Sequence, residues 1–458
     1  MFEILLWAVP VVCGLAVFFA YSTSRDSFHP LVFICPMFAA LYWWMPWQEW
    51  RSEEIYRFLD EPQLEYVQGL NLLGVLAFTG GCLLAGSRQN RLLAIRFSFY
   101  PRTLLRLRLA AYALGGIGII AWIYTIDYVG GFSAAFGRSY GGGYAATGYI
   151  RDAPFLLLPA ILLLLPSLLR GRVNGGHLFA AVLFAIPWAT QGLLGARRGP
   201  TFLIVVIIAT GWCLFRGWRP PLAIGTIGFG TLGYLVLFLV LNRTEIYLGS
   251  ELDFRYDVSS RFTSAGGDNE YIYGAGAILH AEEVGRVYWG KRYLAQILVR
   301  PVPRQWWPNK YADFGVPELE VNAGTGGVEF RNTIGWAGTV GAAPGIVADL
   351  WLEFRWLMLP ALLGMGSFYG FCWRRAVTQG GGWVFQYVIL VSLSLYLVMQ
   401  TMEAVIFRFL ILSVPMWIAW RWANHQREHS PVLNGVPGPA QHFGVQSARW
   451  IPIRNDPK

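Results

Sequence analysis

The side chains best suited to chemistry lie in one long polar stretch, residues 242–341, which interrupts a chain otherwise built of apolar runs. Within it, His280 and Glu283 are three residues apart, so a helix would place both on one face. A histidine oriented by a carboxylate can act as a general base at neutral pH. The alternative interpretation is a surface histidine on a solvated turn.

Further along the same stretch, cations alternate with aromatic rings. The order is Arg300, Pro301, Pro303, Arg304, Trp306, Trp307 and Lys310. Guanidinium groups bind phosphate through a planar fork, and aromatic faces suit sugar rings. An interfacial anchor of Trp and Arg side chains would give the same pattern. Apolar residues from Tyr293 to Leu298 recur at helical spacing, which predicts a helix that ends at the prolines.

Two other groups of charged residues lie close to apolar runs. Arg197 and Arg198 are adjacent in a short connection, residues 195–200. Basic residues beside a membrane are costly unless they reach water, lipid phosphate or a ligand, so we expect either snorkelling to headgroups or a cationic pair facing a lipid diphosphate. Asp349 and Glu353 are four residues apart, and they are expected to face a cavity or to pair with a loop arginine.

The composition defines the class of protein in which these residues must be positioned. The chain has 458 residues, of which 55% are hydrophobic and 14% charged, and its mean hydropathy is +0.43. Soluble domains carry about 25% charged residues. Apolar runs of nearly 20 residues therefore predict an all-α polytopic membrane protein. The net charge of +9 is attributed to cytoplasmic loops rather than to nucleic-acid binding.

The apolar runs predict about 11 transmembrane helices and one large extracytoplasmic loop. The predicted spans are 2–21, 30–46, 69–86, 107–126, 153–169, 177–194, 201–215, 222–241, 357–373, 383–400 and 404–420. Residues 1–241 therefore hold the first eight spans, 242–356 the loop with a segment that re-enters the membrane, and 357–422 the last three. Residues 423–458 form a polar tail, which is predicted to be disordered and cytoplasmic.

The distribution of arginine predicts the orientation of the chain. One set of alternate short loops holds 13 basic residues and a single acid, Asp26, whereas the opposite set is richer in acids than in bases. The positive-inside rule places the first set in the cytoplasm. The N-terminus and the large loop are then outside, and the C-terminus is cytoplasmic.

Several catalytic classes lack their sequence signatures here. The five cysteines have no metal-ligand spacing, and the sequence contains no HExxH, Asp-x-Asp or Walker motif and no Ser-His-Asp order. We therefore predict neither a metal nor another cofactor.

Three short segments resemble the bacterial oligosaccharide repeat-unit polymerases, the O-antigen polymerase family. They are Gly195-Ala196-Arg197-Arg198-Gly199-Pro200; Tyr288-Trp289-Gly290-Lys291-Arg292-Tyr293 with Pro303-Arg304 and Trp307-Pro308-Asn309-Lys310; and Ala343-Pro344-Gly345 followed by Gly364, Gly366 and Gly370. The resemblance covers roughly residues 190–375. It implies a fold similar to the GT-C type of metal-independent glycosyltransferase.

The resemblance also implies a reaction. A glycan on a polyprenyl pyrophosphate is transferred to a second lipid-linked repeat unit, at the outer face of the bacterial inner membrane, to build an O-antigen, capsule or exopolysaccharide. On this hypothesis Arg197, Arg198 and Arg304 hold the pyrophosphates, with Lys310 assisting and Arg300 as a further substrate-binding residue. His280 or Glu283 is the base, and Trp306 and Trp307 line the sugar path. Membrane lipids and a chain-length regulator protein are the further partners implied.

Two alternatives remain open at this point. A ligase of the same type would move glycan from the lipid carrier to a different acceptor and would give a single transfer instead of a ladder. A transporter or flippase of lipid-linked glycans would show inverted repeats and charges near the membrane midplane. The sequence shows no repeat, and its charges lie in the predicted outer loops, so the transporter ranks last.

Overall fold

In the computed structural model of the chain, nearly all of the apolar sequence is helical. The residues described are 1–86, 99–138, 149–169, 174–194, 197–242, 245–250, 254, 269–321, 331–336 and 343–425. Every regular element within these ranges is a helix. Met1–Ala423 forms one compact unit, and a second unit runs from Asn424 to Lys458. The predicted tail, 423–458, lies almost entirely outside the described ranges.

Nine of the described helices are long and apolar enough to cross a membrane. Eight precede the polar stretch: α1 (Phe2–Ser24), α2 (Pro30–Arg51), α3 (Glu61–Gly86), α4 (Pro101–Tyr128), α5 (Ile150–Leu168), α6 (Gly175–Leu193), α7 (Gly199–Arg216) and α8 (Leu222–Leu239). The ninth, Met402–Asn424, is the last described helix. The prediction of a polytopic helical membrane protein is confirmed.

The polar stretch contains helices of its own. The main ones are α9 (Glu270–Val284), α10 (Lys291–Leu294, continued by a π-helical turn at Ala295–Val299) and α11 (Gly345–Phe354). Short helices lie at Lys310–Asp313, Glu318–Val321 and Arg331–Ile334. Asn269 caps α9 by accepting hydrogen bonds from the backbone N–H groups of Tyr271 and Ile272. The helix predicted from Tyr293 to Leu298 is present as part of α10, which ends just before Pro301.

The last part of the chain forms α12 (Met358–Thr378), α13 (Gly382–Ser392), a short helix at Ser394–Met399 and α14 (Met402–Asn424). The predicted span 383–400 is therefore two helices that meet at Leu393. The predicted span 357–373 corresponds to α12, which has 21 residues and carries Arg374 and Arg375 at its end. Neither α12 nor α13 is among the nine long apolar helices, so the number of spans stays a prediction.

Helix α12 packs closely along the spanning helix α3. A Cβ at Gly81 would collide with the Leu363 carbonyl, and one at Gly366 with the Phe78 carbonyl, so the two backbones touch where glycine removes the side chain. Gly74 lies against Leu362, and Gly86, a further 12 residues along, lies against Trp373. Because these contacts follow the same order in both helices, α3 and α12 run parallel.

Helix α11 is positioned by two glycines. Gly345, at its start, has φ +74°, which favours glycine, and a side chain there would press on Leu41 and the Tyr42 hydroxyl. Gly274 of α9 leaves room for the carbonyl of Pro344, which a Cβ would approach to 2.6 Å. All residues from Gly345 to Glu353 are buried. The segment predicted to re-enter the membrane is thus packed inside the bundle.

Charged and aromatic side chains at each end of the bundle contact partners that share their predicted side. At one end, Asp26 lies 3.5 Å from Arg219 and accepts a hydrogen bond from the Trp373 indole. At the other end, Asp152 lies 3.5 Å from Arg300. Asp26 and Arg219 belong to loops predicted to be cytoplasmic, and Asp152 and Arg300 to segments predicted to be outside, so residues assigned to one side lie together. Which end of the bundle faces the cytoplasm stays a prediction.

Candidate functional site

A cavity of about 330 Å³ lies where the loop after α10 meets the beginning of α5 and the first turns of α14. It is lined by Arg151, Asp152, Gln296, Arg300, Pro301, Val302, Pro303, Arg304, Gln305, Lys310 and Phe407. Four of these residues are cations and one is an acid, so the lining carries a formal charge of +3 at neutral pH. We refer to this cavity as the cationic pocket.

The loop that forms one wall of the cationic pocket is fixed from within. Lys310 is buried, and its ammonium group donates hydrogen bonds to the backbone carbonyls of Arg300 (2.9 Å) and Val302 (2.6 Å). Burial, followed by the nearby guanidinium groups of Arg304 and Arg300, lowers the pKa of Lys310. Two of its three donors therefore brace the loop. Lys310 therefore has two roles in the pocket: it supplies positive charge, and it holds the loop that carries Arg300 and Arg304 in position.

Helix α5 forms the opposite wall with its first turns. Asp152 is buried and ends a helical turn, Tyr149–Asp152, that leads directly into the apolar part of α5. Its carboxylate lies 3.5 Å from an Nη of Arg300, whose side chain is 36% exposed. The guanidinium of Arg300 also stacks over the Phe407 ring, with its carbon 5.4 Å from the ring centroid. Arg300 thus lies between one carboxylate and one aromatic face.

A fifth cation lies behind this wall. The guanidinium carbon of Arg408, on α14, is 4.2 Å from the Tyr396 ring centroid and 5.6 Å from that of Phe155. Arg408 donates one hydrogen bond, to the carbonyl of Ala404 in its own helix. It acts electrostatically on Asp152, as do Arg300 and Arg151. Three guanidinium groups therefore act on Asp152.

Gly199, at the start of α7, is next to this arrangement, and Arg197 is not among the described residues that line the cavity. A Cβ at Gly199 would meet the ring of Tyr396, which in turn stacks on Arg408. Arg197 is partly buried, and its N–H donates to the carbonyl of Gly192. The side chain of Arg198 lies outside the described residues, as do Gly195 and Ala196. The predicted roles of Arg197 and Arg198 remain predictions.

His280 and Glu283 lie on α9, away from the lining of the cationic pocket. Thr333 connects them: its hydroxyl donates to a Glu283 carboxylate oxygen at 2.6 Å and lies 3.4 Å from His280 Nδ1. The i, i+3 geometry that the sequence predicted is present, because both side chains reach one threonine. The cations of the pocket lie elsewhere, so the structure does not bring this pair together with them.

The two tryptophans of the loop differ in their surroundings. Trp306 is 82% exposed. Trp307 is partly buried, donates a hydrogen bond from its indole N–H to Asp313 at 2.6 Å, and packs against a small cluster that includes Val299 and Tyr311. Trp307 therefore stabilises the loop, whereas Trp306 is available to a ligand or to the membrane interface.

A second group of charges lies at the beginning of α10. Arg292, which is 2% exposed, places one Nη 3.1 Å from an Asp349 oxygen and the other 3.3 Å from a Glu353 oxygen. Both carboxylates are fully buried on α11. We call these three residues the buried ion cluster. Asp349 and Glu353 thus pair with a loop arginine, which was one of the two expectations from their spacing.

Backbone groups complete the buried ion cluster. Asp349 accepts hydrogen bonds from the Tyr293 hydroxyl (2.8 Å) and the Met402 N–H (2.7 Å). Glu353 accepts one from the Gly290 N–H at 2.7 Å, which the left-handed backbone of Trp289 and Gly290 makes possible. Burial raises the pKa of Glu353 to about 8, with Asp349 and Glu403 adding to this effect and Arg292 opposing it. The cluster joins the loop to α11 and α14.

Sequence reasoning did not select Asp152 as a functional residue. The signal available was an Arg151–Asp152 pair immediately before an apolar run that contains no charge until Arg170. Within the described ranges, no three His, Cys, Asp or Glu side chains are grouped so that they could hold a metal ion.

Comparison of the chain with protein-family models, curated proteins and solved structures finds no match.

Proposed function

We propose that this protein is a metal-independent membrane glycosyltransferase that polymerises polyprenyl-pyrophosphate-linked oligosaccharide repeat units. The proposal is supported by the cationic pocket, whose described lining contains the cations Arg300, Arg304, Lys310 and Arg151 and a single acid, beside helices long enough to cross a membrane. Two of these cations, Arg304 and Lys310, belong to the motifs that resemble the O-antigen polymerase family.

The chemistry of the leaving group explains why such a pocket would be needed. When the bond between a sugar and a lipid diphosphate breaks, negative charge develops on the diphosphate oxygens. Fixed guanidinium groups stabilise that charge in the transition state more than in the ground state, which accelerates the reaction. Arginine suits this role because its planar fork matches phosphate oxygens and it stays protonated.

The proposed location follows from the distribution of charge. The cytoplasmic side is the arginine-rich end that includes Arg219 and Arg374, and the cationic pocket then opens outside the bacterial inner membrane. There a lipid-linked glycan can present its diphosphate at the depth of the headgroups and its sugars to water. Trp306, exposed at the edge of the same loop, would contact the sugars.

Reconstitution tests the proposal directly. Purified protein in lipid nanodiscs is given synthetic polyprenyl-diphosphate-linked repeat units, and the products are separated by length. We expect a ladder of products without added nucleotide, and the ladder should shorten or disappear in Arg304→Gln. A single added unit on a different acceptor would indicate the ligase. Movement of the lipid across the bilayer without any new glycosidic bond would indicate the transporter.

A further inference from the structure

The contact between Asp152 and Arg300 indicates how Asp152, the one acid among the described residues that line the pocket, could enter the reaction. We infer that Asp152 is the catalytic base that deprotonates the acceptor hydroxyl, and that binding of the donor diphosphate releases it from Arg300. This inference rests on the proposed function and adds to it the residue that handles the proton. The base predicted from the sequence, His280 or Glu283, is not among the residues that line the pocket.

Asp152 lies in the pocket beside the cations proposed to hold the diphosphate. Among the described residues that line the cationic pocket, Asp152 is the sole carboxylate. It shares that lining with Arg300, Arg304 and Lys310, the groups proposed to hold the diphosphate. A base must lie within hydrogen-bond reach of the hydroxyl that attacks the sugar carbon attached to that diphosphate. Asp152 is the acid closest to meeting this requirement.

The geometry of the contact between Arg300 and Asp152 indicates how donor binding would activate the base. The distance between Arg300 and Asp152 is 3.5 Å, at the long end for a hydrogen bond, and the Arg300 side chain is partly exposed. A carboxylate bound to a guanidinium is a weak base because the positive charge stabilises its ionised form. A diphosphate carries more negative charge than a carboxylate and binds a guanidinium through two oxygens. Donor binding would therefore draw Arg300 from Asp152 and make the carboxylate more basic.

The reaction balances with these groups alone. The acceptor oxygen forms a bond to the anomeric carbon of the donor glycan, and its proton passes to the Asp152 carboxylate. The bond between that carbon and the diphosphate oxygen breaks, and the electron pair leaves with the polyprenyl diphosphate, where Arg300 and Arg304 stabilise it. Asp152 then returns the proton to water. No oxidant, reductant or additional co-reactant is needed.

The test separates catalysis from binding in Asp152→Asn. We expect turnover of the lipid-linked repeat unit to fall by about 100-fold or more, the lower range for loss of a general base. Affinity for polyprenyl diphosphate alone should stay the same or increase, because a negative charge leaves a positive pocket. Asp152→Glu, which keeps the carboxylate, should recover part of the turnover.

The pH profile provides a further readout. In the wild type, turnover should fall at acid pH as the carboxylate is protonated, and that acid limb should be missing in Asp152→Asn. The charged groups that face Asp152 are Arg300, Arg151 and Arg408, and none of them loses its charge in this range. Asp60→Asn is the matched control, because Asp60 is exposed and caps α3, where asparagine serves equally well.

The outcomes distinguish this inference from the proposed function. A normal ladder from Asp152→Asn overturns the role of Asp152 and leaves the glycosyltransferase in place. Parallel loss of binding and turnover, without recovery in Asp152→Glu, also overturns it, since Asp152 would then only position Arg300. Failure of the wild type itself to make any glycosidic bond overturns the proposed function.

Discussion

The buried ion cluster and the cationic pocket both use cations from one stretch, residues 292–310, to which the pocket adds Arg151, yet their charges are used differently. In the buried ion cluster, the charge of Arg292 is matched by Asp349 and Glu353, and all three are shielded from solvent. In the cationic pocket, four cations face one acid, and Arg304 is exposed. Charge that is buried with its counter-ions holds the structure together, whereas cations that outnumber the acids among the described lining residues of an open cavity can bind an anion.

The cationic pocket also depends on the buried ion cluster. Arg292 lies at the start of α10, and Arg300 follows its end, so the buried ion cluster fixes one end of the helix that presents the cationic pocket. Because the rise per residue of a helix is fixed, a helix fixed at Arg292 restricts where Arg300 can lie. We therefore predict that a substitution in the buried ion cluster disturbs the cationic pocket, while a substitution in the cationic pocket leaves the buried ion cluster intact.

The largest effect is expected from Arg292→Met. This change leaves Asp349 and Glu353 buried without their cation, which costs about 3–5 kcal/mol of stability. Thermal unfolding in nanodiscs should show a clearly lower midpoint, and polyprenyl-diphosphate binding should weaken as well. The double change Arg292→Met with Glu353→Met should recover part of the midpoint because one of the two unpaired acids is removed. A wild-type midpoint in Arg292→Met would contradict the structural role of the cluster.

A smaller and more selective effect is expected from Arg304→Gln. Loss of one charged hydrogen-bond donor should weaken polyprenyl-diphosphate binding by about 10- to 100-fold, corresponding to roughly 1.5–3 kcal/mol. The unfolding midpoint should stay close to that of the wild type, since Arg304 is exposed. Arg57→Gln is the control: Arg57 belongs to an exposed ion pair of another predicted outer segment and should affect neither quantity. Equal affinities for Arg304→Gln and wild type would argue against the pocket as the diphosphate site.

The pH dependence of stability is expected to come from the buried ion cluster. The pKa of Glu353 is about 8 in the folded protein, above the ordinary value of 4.5 that applies when unfolded. The stabilisation from its protonated form is thus fully present below pH 4.5 and is lost as the pH rises through 8. Between pH 6 and pH 9, the loss should be on the order of 2 kcal/mol.

Unfolding midpoints at pH 6 and pH 9 measure this loss. Glu353→Gln removes the titrating group, so the difference between the two midpoints should shrink in that variant. If the unfolding midpoint of the wild type does not change between pH 6 and pH 9, the pKa of Glu353 is not raised, and the effect of Arg292 on that pKa offsets the effect of burial.

The smallest effect is expected from Trp306→Ala. Trp306 is 82% exposed, so its removal should change stability by less than about 0.5 kcal/mol. If its ring contacts sugars, the Michaelis constant for the lipid-linked repeat unit should rise while affinity for polyprenyl diphosphate alone stays constant. Trp307→Phe is the comparison, because it removes the hydrogen bond to Asp313 and should lower the unfolding midpoint instead. The same changes in Michaelis constant and unfolding midpoint in both variants would contradict the assignment of Trp306 to the ligand and Trp307 to the loop.

The class of protein and three cations of the cationic pocket can be derived from the sequence alone. Apolar runs of membrane length predict spanning helices because the bilayer forces backbone groups to bond within each helix. Arg300, Arg304 and Lys310 could be selected together because they lie within 11 residues of one another and two prolines stop the helix beside them. Local spacing was likewise sufficient to relate His280 to Glu283 and Asp349 to Glu353.

Which charged side chains lie close together depends on the tertiary structure. Asp152 and Arg300 are 148 residues apart, and Arg292 and Asp349 are 57 apart, so neither pair leaves a local signal. The same arginine-rich stretch supplies one buried, balanced cluster and one open, positive pocket because helix packing places acids of α11 against Arg292 and a single acid of α5 against Arg300. Composition is read along the chain, but electrostatic balance depends on distance in space, and the fold alone sets those distances.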